Sequence, residues 1–595
     1  MRFRLSEKVP NRPVVEDDKT PQDVETTVAD DKETNPTKDK DTDSSSDRDD
    51  SNADFQRGDE AIRAMTQIWT KRDLVIAYIL IWLISFIQAF SAGIIGTMTP
   101  YVTSSFGAHS LTSTMGIVAS LVSGLIKLPY AKLLNIWGRP QSFGVVIIIM
   151  TLGIVMMAAC NSVYVYAAAL VFYNVGYSTI NFTTTIFIAD TSSLKSRAFM
   201  LAFAGSPYLA TVWAYGPAAE SALDGIGFRW GLGVWAIVYP VVCTPLWALF
   251  YYYQRKAEKA GLYKNEPSGR NFTESLMHWA KEFDVIGLLL VATGLALFLL
   301  SFSIYSYQKD EWKSPLIICF FIFGGLLIIA FALWEKYWAP VTFIPWHLIK
   351  NRTVFFTYTM MASIYTAWYI WDNYFYSFLI VVFNESVTNA SYISNIYTVG
   401  STFIALVMGV VIRINGRLKW QALYLGVPLT ILGVSLMIHF RQPDSHIGYI
   451  VMCQIFIAFG GGILVICEQM TVMAVSTQRD IPAVLAMESM IANMGGAIGG
   501  AIAAAMWTGI FPKKLLEYLP ASSQADFATI YGDILVQSSY AIGSPTRDAI
   551  NKAYGDTQRL MLIAATCLYS ITLVSVIMWK DINVKKIHQV KGMVW

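Results

Sequence analysis

Four carboxylates and one amine interrupt sequence that is otherwise apolar: Asp190, Asp372, Glu468, Glu488 and Lys127. A charge in the core of a bilayer is expensive, so each asks for a reason. A carboxylate so placed suits proton pick-up and release. Glu468 and Glu488 fall toward the inner third of their segments, where both can face a central cavity. Either can carry the proton, or pair with Lys127, Arg139 or Arg479 as a structural gate. Asp372 lies in the run Trp368-Tyr-Ile-Trp371-Asp372-Asn373-Tyr374-Phe-Tyr376, which suits a cavity wall or an aromatic belt at the outer interface. Lys127, near the inner end of its segment, can snorkel to the interface. Asp190, just before Arg197, belongs to an inner gate or to the interface. Glu220 is a weaker candidate at an outer end.

Other chemistry is excluded by type and spacing. The 6 cysteines (Cys160, Cys243, Cys319, Cys453, Cys467, Cys567) lie in apolar runs without a CxxC pair or a histidine at ligand spacing. They read as small packing residues. The 6 histidines (His109, His278, His347, His439, His446, His588) are scattered and build no metal or haem relay. No Walker loop, HExxH or nucleophile elbow occurs, so no enzyme is expected. Without a basic patch carrying interleaved aromatics, nucleic acid is not expected as a partner. No cofactor is expected either.

The elements that must position these groups are membrane helices. The chain is 54% hydrophobic and only 14% charged, against about 25% charged in soluble domains. Spans need about 20 mostly apolar residues. Such runs fall near 74–98, 111–129, 141–160, 163–188, 198–219, 230–253, 284–306, 315–334, 354–383, 391–412, 420–439, 447–473, 483–510 and 560–579. The fold class is therefore an all-α polytopic membrane protein with about fourteen spans. Lys and Arg collect in alternate joints, including Lys132, Arg139, Lys195, Arg197, Arg255, Lys336, Arg352, Arg413 and Lys419. The other short joints hold only Arg229, Lys309, Lys313 and Arg441. That asymmetry places both termini in the cytosol. Asn384-Glu-Ser and Asn389-Ala-Ser then lie outside, where glycosylation is chemically open.

Residues 1–70 read as a disordered cytosolic tail rich in Asp, Glu, Lys, Ser and Thr, without the apolar core of a cleavable leader. Residues 71–253 make a first six-helix bundle. Loop 254–283 carries Phe272, Leu276, Trp279 and Phe283 on one helical face. Residues 284–353 hold two extra helices and a connecting segment. Residues 354–579 make a second bundle with a long outer loop, 511–559, followed by a short tail, 580–595. Phe527, Ile530, Tyr531, Ile534 and Leu535 give that loop an apolar stripe. It folds over something: the outer helix ends, or a substrate entrance as a lid. The glycines of Gly460-Gly-Gly462 and Gly495-Gly496-Ala-Ile-Gly499-Gly500 favour close helix contact or act as bending points.

One joint carries a resemblance. Ala131-Lys-Leu-Leu-Asn135-Ile-Trp-Gly138-Arg139-Pro resembles the signature loop of the major facilitator superfamily. Gly138 and Arg139 match, while Asn135 stands where the family has Asp and Ala131 where it has Gly. Tyr215-Gly216-Pro217 looks like part of the Gly-Pro motif of proton-coupled members. Phe182-Thr-Thr-Thr-Ile-Phe-Ile-Ala-Asp190, Ser192 to Arg197 and Ile344-Pro345-Trp346-His347-Leu348 together look like the fungal siderophore–iron transporter family. The similarity covers roughly residues 70–580.

The resemblance implies two six-helix bundles with two extra central helices. It implies an importer of ferric siderophores, of hydroxamate type, coupled to proton symport. Iron would travel only inside the chelate. The partners would be the chelate, protons and the lipid bilayer, with the chain monomeric. The plasma membrane is the expected site, with the endosomal membrane as the other. Alternatives are a fourteen-helix drug:proton antiporter and a haem or glutathione carrier of the same family.

The resemblance also implies a cytosolic gate of Asn135, Gly138, Arg139, Asp190 and Arg197. By depth and polarity, Tyr173, Asn174, Tyr177, Trp213, Trp371, Asp372 and Tyr374 are expected to line the substrate cavity. Proton coupling is expected at Asp372, Glu468 or Glu488, and an outer lid at Tyr531, Tyr540 and Tyr554.

Overall fold

The computed structural model describes residues 64–65, 68–105, 112–262, 272–305, 308, 310–340, 342, 346–477, 480–532 and 534–587. Every one of them belongs to the unit that follows Asp49. Apart from one isolated bridge, Arg417 to Asn583, the regular structure among the described residues is helical. Lipid leaves no other way for an open chain to satisfy its backbone.

The first bundle comprises α1 (Lys71–Ser105), α2 (Thr112–Leu125) with α3 (Lys127–Ile136), α4 (Arg139–Ala159), α5 (Val163–Thr191), α6 (Leu194–Gly205) with α7 (Tyr215–Asp224), and α8 (Gly227–Lys259). Between the bundles come α9 (Phe272–Glu282), α10 (Val285–Ile304) and α11 (Pro315–Tyr337). The second bundle comprises α12 (Arg352–Asp372) with α13 (Phe375–Val381), α14 (Ile396–Asn415), α15 (Val427–Phe440), α16 (Ile447–Val475), α17 (Ile481–Tyr518) and α18 (Pro545–Ile577).

Helix starts are written locally. Thr70 and Asp73 bond each other's backbone N–H groups ahead of α1, a reciprocal cap. Ser162, Asn351 and Ser544 cap α5, α12 and α18.

Eleven helices among the described residues are long and apolar enough to cross a membrane. The three other expected spans fall on interrupted helices. Span 111–129 breaks at Ile126, between α2 and α3. Span 198–219 breaks twice between α6 and α7, around a one-turn helix Tyr208–Thr211. Span 354–383 breaks at Asn373 and Tyr374, between α12 and α13. Pro217 sits in the first turn of α7, where a missing N–H is harmless. The break thus precedes the Gly-Pro pair.

Two boundaries differ from expectation. Ala64, Met65 and Trp69 are buried, with the Trp69 ring 5.4 Å from Phe187 and 5.1 Å from Tyr253. Packed structure therefore begins before residue 70, because an aromatic anchor docks on the ends of α5 and α8. The long loop is also shorter than 511–559. α17 continues to Tyr518 and α18 begins at Pro545, since polar but helix-compatible sequence prolongs both helices.

Within each bundle glycine permits the closest approaches. A Cβ on Gly499 would lie 2.4 Å from the Thr366 carbonyl oxygen, and one on Gly495 2.8 Å from that of Ala362. α17 therefore lies backbone-to-backbone on α12, and the Thr366 hydroxyl donates to the Gly495 carbonyl at 3.0 Å. The bundles meet along two seams, α6 on α14 and α2–α3 on α17. The extra pair α10–α11 packs through α10 against both α2 and α17.

We call the end carrying Lys132, Arg139 and Arg197 the basic end. There Lys132 Nζ donates to the Glu282 carbonyl at 2.8 Å, and buried Asp284 accepts from Trp334 Nε1 at 2.8 Å. At the opposite end the hydroxyls of Tyr305 and Thr508 bond, tying α10 to α17.

Candidate functional site

At the basic end the signature loop turns at Gly138, whose φ of 94° only glycine adopts easily. Arg139 then enters the protein. Its Nε and Nη2 both stand 3.2 Å from Asp190 Oδ2, and Nη1 donates to Asn135 Oδ1 at 3.0 Å. All three side chains are buried. Asn135 thus supplies an acceptor without a charge, so the charge facing Arg139 comes from Asp190, which acts on Arg197 as well. Arg197, fully buried, donates Nη2 to the carbonyls of Ala189 (2.8 Å) and Ser192 (3.1 Å) at the end of α5. Its Nη1 lies 3.9 Å from Met473 Sδ in the second bundle. All five expected gate residues therefore assemble at one end.

Midway, the second bundle presents an acidic and aromatic wall. Glu468 is fully buried and neither carboxylate oxygen has a hydrogen-bond partner among the described residues. Glu488 is buried with Oε2 likewise unpartnered. The two carboxylates act on each other electrostatically, and Lys127 of the first bundle acts on Glu488 across the α3–α17 seam. Tyr365 feels both carboxylates. Trp368 stacks on Tyr397 with centroids 5.6 Å apart, and the Tyr397 hydroxyl lies over Gly461. Sequence reasoning missed Tyr365, Trp368, Tyr369 and Tyr397. The i, i+4 spacing of Tyr365 and Tyr369 with Asp372 one turn on was the available signal.

Opposite them the first bundle offers phenols. The hydroxyls of Tyr177 and Tyr208 share a 2.7 Å hydrogen bond, and Gln88 Nε2 donates to the Tyr177 carbonyl at 3.1 Å. Tyr177 keeps part of its surface open. Its neighbour Tyr173 does not: it is buried among α1, α5 and α8. Asn174 spends its amide on the Leu170 carbonyl of its own helix, at 2.8 Å. Trp213 is 48% exposed and packs on Tyr392 at 5.0 Å, at the opposite end of the α6–α14 seam.

At the opposite end α12 breaks. Trp371 is wholly buried in the second bundle, so it is a core residue and not a cavity wall. The α12 face that lines the middle turns it inward. Tyr374 stacks flat on Trp507, 4.2 Å between centroids. The carbonyls freed by the break are taken by side chains: Trp371's by Arg441 Nη1 (2.8 Å) and Tyr374's by Gln558 Nε2 (3.3 Å). Asp372 is half-buried beside Arg441 and lies in a different layer from Glu468 and Glu488.

The final loop folds onto this end. Buried Arg547 donates to the carbonyls of Gln537 (2.8 Å), Tyr540 (3.2 Å) and Val381 (2.6 Å). It thereby joins loop to α13. Tyr531 stacks with Phe527 and packs near Phe511. Tyr554, expected in the loop, lies on α18 and is buried against Trp507 and Phe511. It is a core aromatic, not a lid residue. Arg479 and Lys309 lie outside the described residues.

A family model described as Major Facilitator Superfamily matches residues 81–504. Among curated relatives, "MFS siderochrome iron transporter 1" of Ajellomyces capsulatus is 55% identical over 91% of this chain and 92% of its own length. "Siderochrome iron transporter 2" of Aspergillus fumigatus is 43% identical over 91% and 89%. "Siderophore iron transporter mirB" of Emericella nidulans is 39% identical over 91% and 89%. The chain belongs to the fungal siderophore–iron transporter family of the major facilitator superfamily. It is a multi-pass membrane protein of a family of transporters, not of enzymes. The two-bundle architecture is what that superfamily uses to move cargo between two bundles.

Proposed function

We propose that this protein imports ferric siderophores of hydroxamate type across the plasma membrane, driven by protons moving with the cargo. The charge asymmetry of the joints supports assigning the basic end to the cytosol and the opposite end to the outside. The kinship with transporters so named supports the cargo class. The middle layer supports the coupling, and one observation carries it. Buried Glu488 acts on an amine, Lys127, across the moving seam, and buried Glu468 acts on Glu488 behind it. Two negative charges against one positive leave one in excess, which one proton removes. An uncompensated buried charge resists the closure of two bundles over it. Loading a proton with the cargo lifts that resistance, so the pair ties closure to protonation.

The chelate itself is bulky, polar at its surface and weakly charged. Phenols at Tyr177, Tyr208, Tyr365 and Tyr397 suit it, because aromatic faces give area and hydroxyls give hydrogen bonds. The test is uptake of radioiron-labelled ferric hydroxamates into cells lacking their own carriers, with and without a protonophore. Saturable uptake that collapses with the gradient fits the proposal. No uptake with protein at the surface removes it, and protection against toxic amphiphiles would then mark an antiporter. Surface labelling in the same cells separates plasma membrane from endosome.

A further inference from the structure

Arg441 is the residue that the transport site does not absorb. It follows the last residue of α15 and is 0% exposed. Its guanidinium lies 4.4 Å from the centroid of Phe375 and 5.3 Å from that of Phe378, both on α13. Only Nη1 is engaged, on the Trp371 carbonyl at the end of α12. Nε and Nη2 have no hydrogen-bond partner among the described residues. An arginine presents five donors in a fixed fork, and burying it with most of them idle is costly unless another state uses them.

The missing acceptor is adjacent. Asp372 follows Trp371 directly, and among the described residues no hydrogen bond or ion pair engages its carboxylate. Its charge and that of Arg441 act on each other. Between the two lies the break at Asn373 and Tyr374, where the chain leaves helical geometry with Tyr374 at φ −113° and ψ 15°. A turn at that break reorients α13, which carries the two rings enclosing the guanidinium. Within α12, Asp372 shares one face with Tyr365 and Tyr369, spaced i, i+4 and i+7, and Tyr376 lies beyond the break on α13. That face begins at Tyr365, on which Glu468 and Glu488 both act, and ends at the break.

We propose that Asp372 and Arg441 form the latch of the outer gate. In this conformation Arg441 holds the broken end of α12 by its carbonyl. When α13 turns to close the mouth, the Asp372 carboxylate seats on the idle Nε and Nη2 edge, a bidentate pairing that arginine favours. Arg441 is then a positioning residue: it touches no cargo and sets which state of α13 is stable. The proposal rests on the alternating-access reading but on neither the cargo nor the proton.

Its test uses full-length protein in lipid nanodiscs without any chelate. Tyr376→Cys reports the mouth through its rate of modification by a membrane-impermeant maleimide. In that background Asp372→Asn and Arg441→Gln are each expected to speed modification about fivefold or more, the size of an ordinary coupling between two states. The exchange Asp372→Arg with Arg441→Asp is expected to return the rate toward that of the parent. Arg441→Lys, which keeps charge but loses the fork, is expected to fall between. If Arg441 only anchors α12, Arg441→Gln lowers thermal stability while Asp372→Asn labels at the parental rate, and the latch is overturned. Asp372→Asn carries the test even if Arg441→Gln does not fold, because Asp372 makes no bond here that its loss would break. Uptake failing for every chelate while Asp372→Asn still labels faster would strike the import proposal and leave the latch standing.

Discussion

Each buried charge in this protein has a distinct solution, and the solutions predict distinct phenotypes. Arg139 and Asp190 neutralise one another with Asn135 as third partner. Removing one member strands the other, so Arg139→Ala is expected to cost about 3–5 kcal/mol, read as a lowered unfolding temperature. Asn135→Asp adds a second carboxylate to the same guanidinium. It is expected to tighten the cytosolic gate and slow uptake without lowering stability. Glu468 and Glu488 have no such compensation at their free oxygens. Glu488→Gln removes the excess charge permanently. Exchange of labelled for unlabelled chelate across the membrane is expected to persist, while accumulation driven by a pH gradient is lost. Loss of exchange as well would assign Glu488 to cargo binding.

At the scale of elements, glycine decides where helices touch. Gly499 faces the Thr366 backbone, which cannot yield, whereas Gly509 of the same helix has nothing within 4 Å of an added Cβ. Gly499→Ala is therefore expected to destabilise by about 1–3 kcal/mol through overpacking. Gly509→Ala is expected to be neutral, or stabilising by up to about 1 kcal/mol through helix propensity. Thermal unfolding of the two variants side by side checks both. The interrupted helices follow a shared logic. Breaks free carbonyls, and in the second bundle Arg441, Gln558 and Arg547 donate to carbonyls at the ends of α12 and α13. Those donors come from different parts of the chain, which makes this end of the second bundle an assembled object and not a property of one segment.

For the whole molecule, the extra helices bridge what must move. The turn ahead of α10 is tied to the first bundle by Lys132, which bonds the Glu282 carbonyl at the end of α9, and the far end of α10 is tied to the second through Thr508. Rocking of the bundles must release one tie in each cycle. Cysteines replacing Tyr305 and Thr508 together are expected to arrest uptake once oxidised and to restore it on reduction. Each single substitution should leave uptake near the parental level. Uptake unaffected by the cross-link would show that α10 and α17 travel together and that the first tie is the one released.

The sequence by itself determined the class, because apolar length and the alternation of basic joints are local quantities that lipid reads directly. It also grouped Asn135, Gly138, Arg139, Asp190 and Arg197, which lie together at the basic end, since the first three are close in the chain and the last two flank one joint. It singled out Glu468 and Glu488, because a carboxylate amid apolar residues is visible without coordinates. Only the tertiary structure decided which face of a helix meets the cavity. Trp371 and Tyr173 lie at the right depth but are buried in their bundles, while Tyr365, Trp368 and Tyr397 stay partly exposed. A span whose two sides are both apolar carries no period that distinguishes lipid, core and cavity. The partners of Arg441, Lys127 and Arg547 were likewise hidden, because each comes from a distant segment, and only packing brings such groups within reach.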